Sequence, residues 1–280
     1  MTRRPPTTRP FPDAVRRVLA VLDPIGGYGA ALDVALDLGR RLQATGTGLL
    51  LRDEALLGTA DLSVVQEVRR LPASVSAHTR ESAEQQFRTR VRHIERRLLE
   101  RPMDTAAWTV AVDSGMTRAP VMRAVREGDL VVVGQDERGG TPYERLGAAL
   151  LAEGPHPVLM VPPAARPVRS VQVVYDGTPA AQRALVLAGA VAQRVGAASV
   201  GVISVGEASR DRAEAIGRSL SGHDVSAMVV TQARLDVPAA VRTLSADRGL
   251  LVLPAATFRR EGPSLAYALR MLGWPFLIVR

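Results

Sequence analysis

The sequence lacks three residue types altogether: cysteine, lysine and asparagine. None of its 280 residues is cysteine, which excludes disulfides, thiolate nucleophiles and cysteine-ligated metal sites. None is lysine either, so all 36 basic residues are arginine. The chain therefore has neither a Schiff-base lysine nor a phosphate-loop lysine, and enzyme classes that depend on either one are excluded.

Histidine and aromatic residues are scarce. Aromatic residues make up 4% of the chain, too few for the stacking platforms on which single-stranded nucleic acid binds. Histidines at metal-ligand spacing are absent, and we interpret each histidine as a surface or loop residue. The four are His78, His93, His156 and His223. We therefore expect no metal site and no nucleic-acid partner.

Most of the formal charge of +8 comes from two short segments. Residues 1–17 hold five arginines and one aspartate, and residues 80–101 hold seven arginines and four glutamates. Apolar runs of the roughly 18–20 residues needed for a membrane helix do not occur. We expect a cytoplasmic protein without a membrane span, in which residues 1–12 are a disordered basic tail.

The chain contains two copies of one pattern. In each copy an apolar strand ends at an aspartate, RRVLAVLDP at 16–24 and RSVQVVYDG at 169–177. An alanine-rich helix and another short apolar strand follow in both copies. The later matches are GDLVVVG (128–134) with GLLVLP (249–254), and HPVLMVP (156–162) with WPFLIVR (274–280).

These repeats predict the fold class. Apolar runs without polar alternation are typical of parallel strands buried on both faces. Alternation with helices predicts βαβ units with right-handed crossovers. The sequence thus indicates two tandem α/β domains, at 13–163 and 168–280, joined by a proline-rich linker at 164–167.

The first copy carries an insertion at about 53–101. Within it Phe87, Val91, Ile94 and Leu98 recur at helical spacing and predict a stripe that packs on the sheet. The arginines between them are expected to face water, and the alternative is that they bind an acidic protein partner. The first part of the insertion suggests a lid or an extra interface.

Three stretches carry a family resemblance: VVYDGTPAAQRAL in the second copy, GDLVVVG in the first, and the segment 134–162 that ends EGPHPVLMVP. They resemble the universal stress protein family, over nearly the whole chain and as two tandem copies. The resemblance implies doubly wound five-stranded parallel sheets with helices on both faces, similar to the adenine nucleotide alpha-hydrolases. Because family members pair through their last strands, it also implies an internal pseudo-dimer in which residues 157–161 meet 275–279.

Many family members bind ATP through Gly-x-x-Gly, nine further residues, then Gly followed by Ser or Thr. Glycines let backbone N–H groups approach phosphate, and the last pair stands at a helix start that favours an anion. Here Gly134 and Gly147 fit the first and third glycines, but Glu137 replaces the second and Ala148 replaces the hydroxyl residue. Asp23 occupies the first-strand position whose aspartate contacts the adenosine in the family.

The resemblance therefore implies a degenerate adenine-nucleotide site in the first copy, for ATP with or without Mg²⁺. Gly139, Gly140 and Thr141 offer substitute donors, and Arg138 offers charge. The lost hydroxyl costs about 1–2 kcal/mol. A carboxylate near a triphosphate adds about 1 kcal/mol of repulsion. A polar loop that only caps the following helix is the alternative interpretation.

The second copy keeps Asp176, Gly177 and Thr178 at the equivalent first-strand turn. Its fourth strand ends in Pro254 instead of glycine, and proline lacks the N–H that a phosphate would use. We expect no nucleotide here. Asp176 would then cap the first helix of this copy or fix its turn.

Three functions remain open. The resemblance implies a non-catalytic stress-response regulator with a nucleotide site in the first copy. The alternative is a ligand-free interaction scaffold that uses the arginine-rich insertion, as a single chain or as a homodimer. A slow ATPase is the third, and no nucleophile–base pair in the sequence supports it.

Overall fold

A computed structural model describes the greater part of the chain. The described residues are 15–22, 28–52, 85, 88–89, 91–97, 108–114, 118–125, 129–135, 149–150, 156–207, 210–244 and 249–280. The predicted basic tail and most of the predicted insertion lie outside these ranges.

The described residues form one ten-stranded sheet flanked by helices. The strands are β1 (Arg17–Leu22), β2 (Thr45–Arg52), β3 (Trp108–Ser114), β4 (Asp129–Gly134), β5 (Val158–Val161), β6 (Ser170–Tyr175), β7 (Ser199–Val205), β8 (Ser226–Gln232), β9 (Gly249–Pro254) and β10 (Phe276–Val279). The helices are α1 (Tyr28–Leu42), α2 (Arg118–Ala124), α3 (Pro179–Val195), α4 (Arg210–Leu220), α5 (Val237–Thr243) and α6 (Ala255–Leu272). Residues 91–97 are also helical.

The strand order has a mirror pattern. It runs β3-β2-β1-β4-β5-β10-β9-β6-β7-β8, so the second five strands repeat the first five in reverse. Neighbouring strands are parallel within each half, and only β5 and β10 pair antiparallel. This arrangement confirms the predicted α/β fold class. Two doubly wound five-stranded halves are joined as an internal pseudo-dimer.

The joint between the halves is formed by the short strands β5 and β10. Phe276 lies opposite Met160, and Leu277 lies opposite Leu159. These residues are buried, so the joint is part of the core. Antiparallel pairing here removes the edge that each half would otherwise expose.

Two hydrophobic cores lie on opposite faces of the sheet, because successive strand residues point to opposite sides. One core contains Leu22 together with Leu32 of α1 and Leu185 of α3. The other contains Val21 together with Leu269 of α6. Both cores include residues from both halves, so each helix layer runs across the joint.

A side-chain bridge ties α1 of the first half to α3 of the second. Asp37 is largely buried and accepts a hydrogen bond from Arg41 Nε at 2.9 Å. Arg41 Nη1 then donates to the Val195 carbonyl at 3.0 Å. This carbonyl ends α3, where helix carbonyls lack intrahelical partners and a cation is favoured.

The helical stretch 91–97 packs against α1. Ile94 is fully buried in the same core as α1, and Val91 packs on that core. Arg97 Nη2 lies 2.5 Å from Asp33 Oδ1 on α1. Val91 and Ile94 therefore lie on the packing side, as the periodicity predicts. The other two members of the predicted stripe, at 87 and 98, lie outside the described residues.

Within the described residues, no helix is long and apolar enough to cross a membrane.

Candidate functional site

The fold places candidate sites at the carboxyl edge of the sheet. In doubly wound sheets, ligands bind where the strand order reverses, outside the carboxyl ends of two adjacent strands. The order reverses between β1 and β4 in the first half and between β6 and β9 in the second. We call these two positions the first crevice and the second crevice.

Most residues predicted for the first crevice lie outside the described part of the chain. These are Asp23, Arg138, Gly139, Gly140, Thr141, Gly147 and Ala148. The exception is Gly134, which ends β4. A Cβ atom added to Gly134 would lie 3.3 Å from the Ala31 Cβ of α1. The glycine therefore has a packing role, since it lets α1 approach the end of β4 closely.

Gln135, the residue after Gly134, is a feature that sequence reasoning missed. Its backbone N–H donates to the Val161 carbonyl at 2.8 Å, which anchors it beside the end of β5. Gln135 is buried, with only 5% of its surface exposed. Within the described part of the molecule, its Oε1 atom accepts no hydrogen bond. The sequence signal was a polar amide directly after the apolar run of β4.

An unsatisfied buried acceptor is unfavourable. Leaving such a group without a partner costs about 1–3 kcal/mol. Native proteins usually satisfy these groups with protein, water or a ligand. Gln135 is thus a residue at the carboxyl end of β4 whose Oε1 atom would be stabilised by a further hydrogen-bond donor.

The second crevice is built around the turn that follows β6. Gly177 has φ +83°, a left-handed conformation that favours glycine. This turn brings Thr178 back onto Asp176. The Thr178 N–H and Oγ1–H both donate to Asp176 Oδ1, at 3.1 and 2.7 Å. Thr178 Oγ1 accepts from Ala181 N–H at 3.2 Å, so Thr178 is the N-cap of α3 and Asp176 fixes the turn.

Two residues from α6 close the second crevice from the other side. Thr257 is fully buried, and its Oγ1 donates to Asp176 Oδ2 at 3.4 Å. Arg260 Nη1 lies 4.0 Å from the same oxygen. The gap between the ends of β6 and β9 is therefore bridged by groups of the protein itself.

This bridge follows from how α6 begins. Pro254 ends β9 and is the N-cap of α6, so helical residues start at Ala255 without an intervening glycine loop. Positions three apart lie on one face of a helix, which directs Thr257 and Arg260 together toward Asp176. Sequence reasoning missed both. The sequence does offer one signal, the matching position in the two copies. Thr257 lies three residues after Pro254, just as Glu137 lies three residues after Gly134.

The partners of Asp176 set its protonation state. Burial by itself would raise the pKa of Asp176. The two hydrogen bonds from Thr178, the hydrogen bond from Thr257 and the positive charge of Arg260 outweigh burial and lower the pKa below its ordinary value. Asp176 is accordingly a carboxylate at neutral pH, and both of its oxygens already have protein partners.

Arg212 of α4 covers the same edge from the opposite side of the sheet. Its Nη1 donates to the Val205 carbonyl at the end of β7, at 2.5 Å. A Cβ atom added to Gly206 would lie 3.2 Å from Arg212 Nη1, and one added to Gly177 would lie 3.4 Å from Nη2. The guanidinium thus lies against both turns, which limits the space for a ligand there.

The chemistry available in the second crevice is limited. It contains the carboxylate of Asp176, which is contacted by the hydroxyls of Thr178 and Thr257 and by the guanidinium of Arg260. Over the described ranges, no group of three or more His, Cys, Asp or Glu side chains is placed to hold a metal ion. The predicted residues Asp176, Gly177 and Thr178 are brought together, but as a closed hydrogen-bonded turn.

Comparison with known proteins gives likenesses in structure. No protein-family model and no curated protein matches the chain. A universal stress protein from Archaeoglobus fulgidus DSM 4304 superposes with a TM-score of 0.63 and 15% identity, over 94% of this chain and 96% of that one.

Two Pseudomonas aeruginosa structures are also similar. A protein from strain UCBPP-PA14, provisionally named a universal stress protein, has a TM-score of 0.51 and 16% identity, with coverage of 95% and 94%. A functionally unknown protein from strain PAO1 has a TM-score of 0.53 and 17% identity, with coverage of 95% and 93%. At identities this low, the structural similarity shows a shared fold, and function has to be argued from the residues of each site.

Proposed function

We propose that this chain is a tandem universal stress protein, a non-catalytic regulator that binds one adenine nucleotide weakly in its first crevice. The second crevice binds none. Three things support the proposal: the fold, the partial glycine motif that begins at Gly134, and the contrast between the two crevices. The observation that carries it is the buried Oε1 atom of Gln135, which accepts no hydrogen bond from the described residues.

Adenine offers the kind of donor that Gln135 lacks. The exocyclic amino group of adenine can donate to a carboxamide oxygen, and Gln135 already stands at the carboxyl end of β4. In the second half, Ala255 stands at the matching position and Thr257 and Arg260 contact Asp176. The asymmetry favours a ligand in the first crevice alone.

The affinity is expected to be low. Without the hydroxyl of the usual Ser/Thr, and with the carboxylate of Glu137 in the loop, the Kd for ATP is expected near about 1 mM. A protein of this kind would respond to large changes in nucleotide level. Turnover is not part of the proposal, and ATP hydrolysis that Asp23→Ala abolished would contradict the non-catalytic assignment.

Isothermal titration of the full chain with ATP and Mg²⁺ tests the proposal. We expect one site per chain, an affinity reduced about tenfold by Asp23→Ala, and no change from Asp176→Ala, the matched aspartate of the second half. Circular dichroism confirms that both variants are folded. Absence of heat at about 10 mM ATP, roughly ten times the expected Kd, or equal losses from both variants, would overturn it.

A second candidate function is a scaffold for an acidic protein partner. It is favoured by the helical stretch 91–97, where Ile94 is buried and Arg92 and Arg96 are exposed. Affinity capture from the native cell tests this candidate. Arg92→Glu/Arg96→Glu should lose a specific partner that Arg40→Glu, on the exposed side of α1, retains. Identical partners for both variants would contradict it.

A further inference from the structure

The outer edge of the sheet at β8 is an open β-strand edge. Within the described residues, β8 pairs with β7 on one side and has no strand on the other. Met228 and Val229 are 47% and 48% exposed, and as consecutive residues they point to opposite faces. The strand, SAMVVTQ, contains neither charge nor proline. An exposed, uncharged edge of this kind is a template for pairing with another strand.

The opposite outer edge differs. β3 carries Asp113, whose carboxylate forms an ion pair with Arg123 at 3.0 Å. Charged side chains on edge strands are a common device against edge-to-edge pairing. The two ends of the sheet are thus unequal, and only the β8 end among the described strands lacks this protection.

The hydrogen bonds of β8 show which backbone groups are available. Ser226 N–H donates to the Ala198 carbonyl at 3.1 Å, and the Gln232 carbonyl accepts from Gly206 N–H at 2.8 Å. Backbone groups of alternate residues point to opposite sides of a strand. Even-numbered residues of β8 therefore face β7, and Ala227, Val229 and Thr231 direct N–H and C=O to the open edge.

We propose that β8 pairs with β8 of a second copy of this chain. The pairing is antiparallel, and the twofold axis passes at Val229. Val229 then faces its own counterpart, and Ala227 faces Thr231 of the other copy. All three outward-pointing residues become hydrogen-bonded pairs, which gives about six backbone hydrogen bonds.

Flanking charges select this register. With Val229 at the axis, Asp224, in the turn two residues before β8, comes near Arg234, two residues after β8 of the other copy. The pair occurs twice because the contact is symmetric. A slip by two residues in one direction separates Asp224 from Arg234 and loses their attraction. A slip in the other direction removes the Asp224–Arg234 pair and shortens the overlap. Both Asp224 and Arg234 are exposed and accessible.

A second copy fits this edge better than an unrelated peptide. The β8 side chains carry no charge that would select a foreign strand, whereas both charges next to the strand are complementary under self-pairing. The contact is small, below the roughly 1,200 Å² typical of stable interfaces. We therefore expect a weak, concentration-dependent dimer. The proposal does not depend on nucleotide binding.

Charge substitution at the axis tests the proposal with the full chain. Size-exclusion chromatography with light scattering should show wild type approaching a dimer at about 0.5 mM, a concentration suited to weak association. Val229→Glu and Val229→Lys should each be monomeric, because like charges meet at the axis. An equimolar mixture of the two should form dimers again. Half-exposed Val229 tolerates either substitution, which circular dichroism verifies.

Two further variants complete the test. Val112→Glu, at an equally exposed position on β3, should leave dimerisation unchanged. Asp224→Arg should weaken the dimer, and the double variant Asp224→Arg/Arg234→Asp should restore it. A wild-type monomer at about 0.5 mM, dimers of Val229→Glu and Val229→Lys alone, or no recovery in the mixture would overturn the proposal.

Discussion

Thr257 Oγ1 lies 3.4 Å from Asp176 Oδ2 and joins the carboxyl ends of β9 and β6. The contact spans the position where a doubly wound sheet usually binds its ligand. Arg260 adds a positive charge 4.0 Å from the same oxygen. In the second half of the chain, Thr257 and Arg260 of α6 thus contact Asp176 across the ends of β6 and β9.

Replacing Thr257 with valine should destabilise the protein. Valine keeps the shape of the side chain but removes the hydroxyl that donates to the half-buried carboxylate of Asp176, at a cost of about 1–3 kcal/mol in unfolding free energy. Urea denaturation at pH 7 measures the loss. In an Asp176→Asn background the same substitution should cost less than half as much. An equal cost in both backgrounds would show that the hydrogen bond is not responsible.

The stability contribution of Asp176 should depend on pH. Burial alone would raise its pKa, but hydrogen bonds from Thr178 and Thr257 and the charge of Arg260 lower the pKa in the folded protein by more. A carboxyl group whose pKa is lowered by folding contributes its full stabilisation at pH values above its unfolded-state pKa of about 3.9. The contribution disappears as the pH falls through the folded-state pKa. The stability difference between wild type and Asp176→Asn should be constant above about pH 5 and shrink below about pH 4.

Denaturation curves at several pH values provide the measurement. A difference that grew on acidification would contradict the sign of the pKa shift. Exposed Asp211 on α4 offers the matched control, since Asp211→Asn should leave the acid dependence close to that of wild type.

Gln135→Leu should raise stability and lower nucleotide affinity together. Leucine removes the unpaired buried Oε1 atom, which should stabilise the unliganded protein by about 1 kcal/mol. The matched control is Gln172→Leu, because Gln172 Oε1 is also buried and unpaired within the described residues but lies inside β6. Both variants should gain thermal stability, and only Gln135→Leu should bind ATP more weakly. Equal ATP affinities of the two variants would show that Gln135 does not contact the nucleotide.

The α1–α3 bridge predicts a difference between two adjacent arginines. Arg41→Ala removes a hydrogen bond to the Val195 carbonyl and one to Asp37, and should cost about 1–2 kcal/mol of unfolding free energy. Arg40 is 70% exposed and lies 3.3 Å from Asp37, so Arg40→Ala should change stability by less than about 0.5 kcal/mol. Equal effects in chemical denaturation would indicate that the bridge between the halves is energetically neutral.

The fold could be predicted because it is repeated in the sequence. Apolar runs such as 158–161 and 249–254, each without polar alternation, are typical of strands buried on both faces by helices. A second copy of the same pattern then predicts a second copy of the same fold. The order of strands and helices along the chain depends on local sequence patterns and can therefore be predicted from the sequence.

The closure of the second crevice could not be predicted from the same information. The residues after Pro254 contain no Gly-x-x-Gly motif, and beyond their position in the repeat nothing in the sequence marks Thr257 and Arg260 as the residues that contact Asp176. Their role depends on α6 starting one residue after β9. A polar amide directly after β4 is visible in the sequence, but the burial of Gln135 depends on elements distant in the chain and is not.

The most direct test of the account is an amide NMR titration of the full chain with ATP and Mg²⁺. The account predicts progressive shifts at Gly134 and at the backbone and side-chain amides of Gln135, with saturation near millimolar ATP. Gly177, Thr178 and Arg260 should stay unshifted. Shifts confined to those three residues, or distributed equally over both halves, would contradict the claim that only the first crevice binds nucleotide.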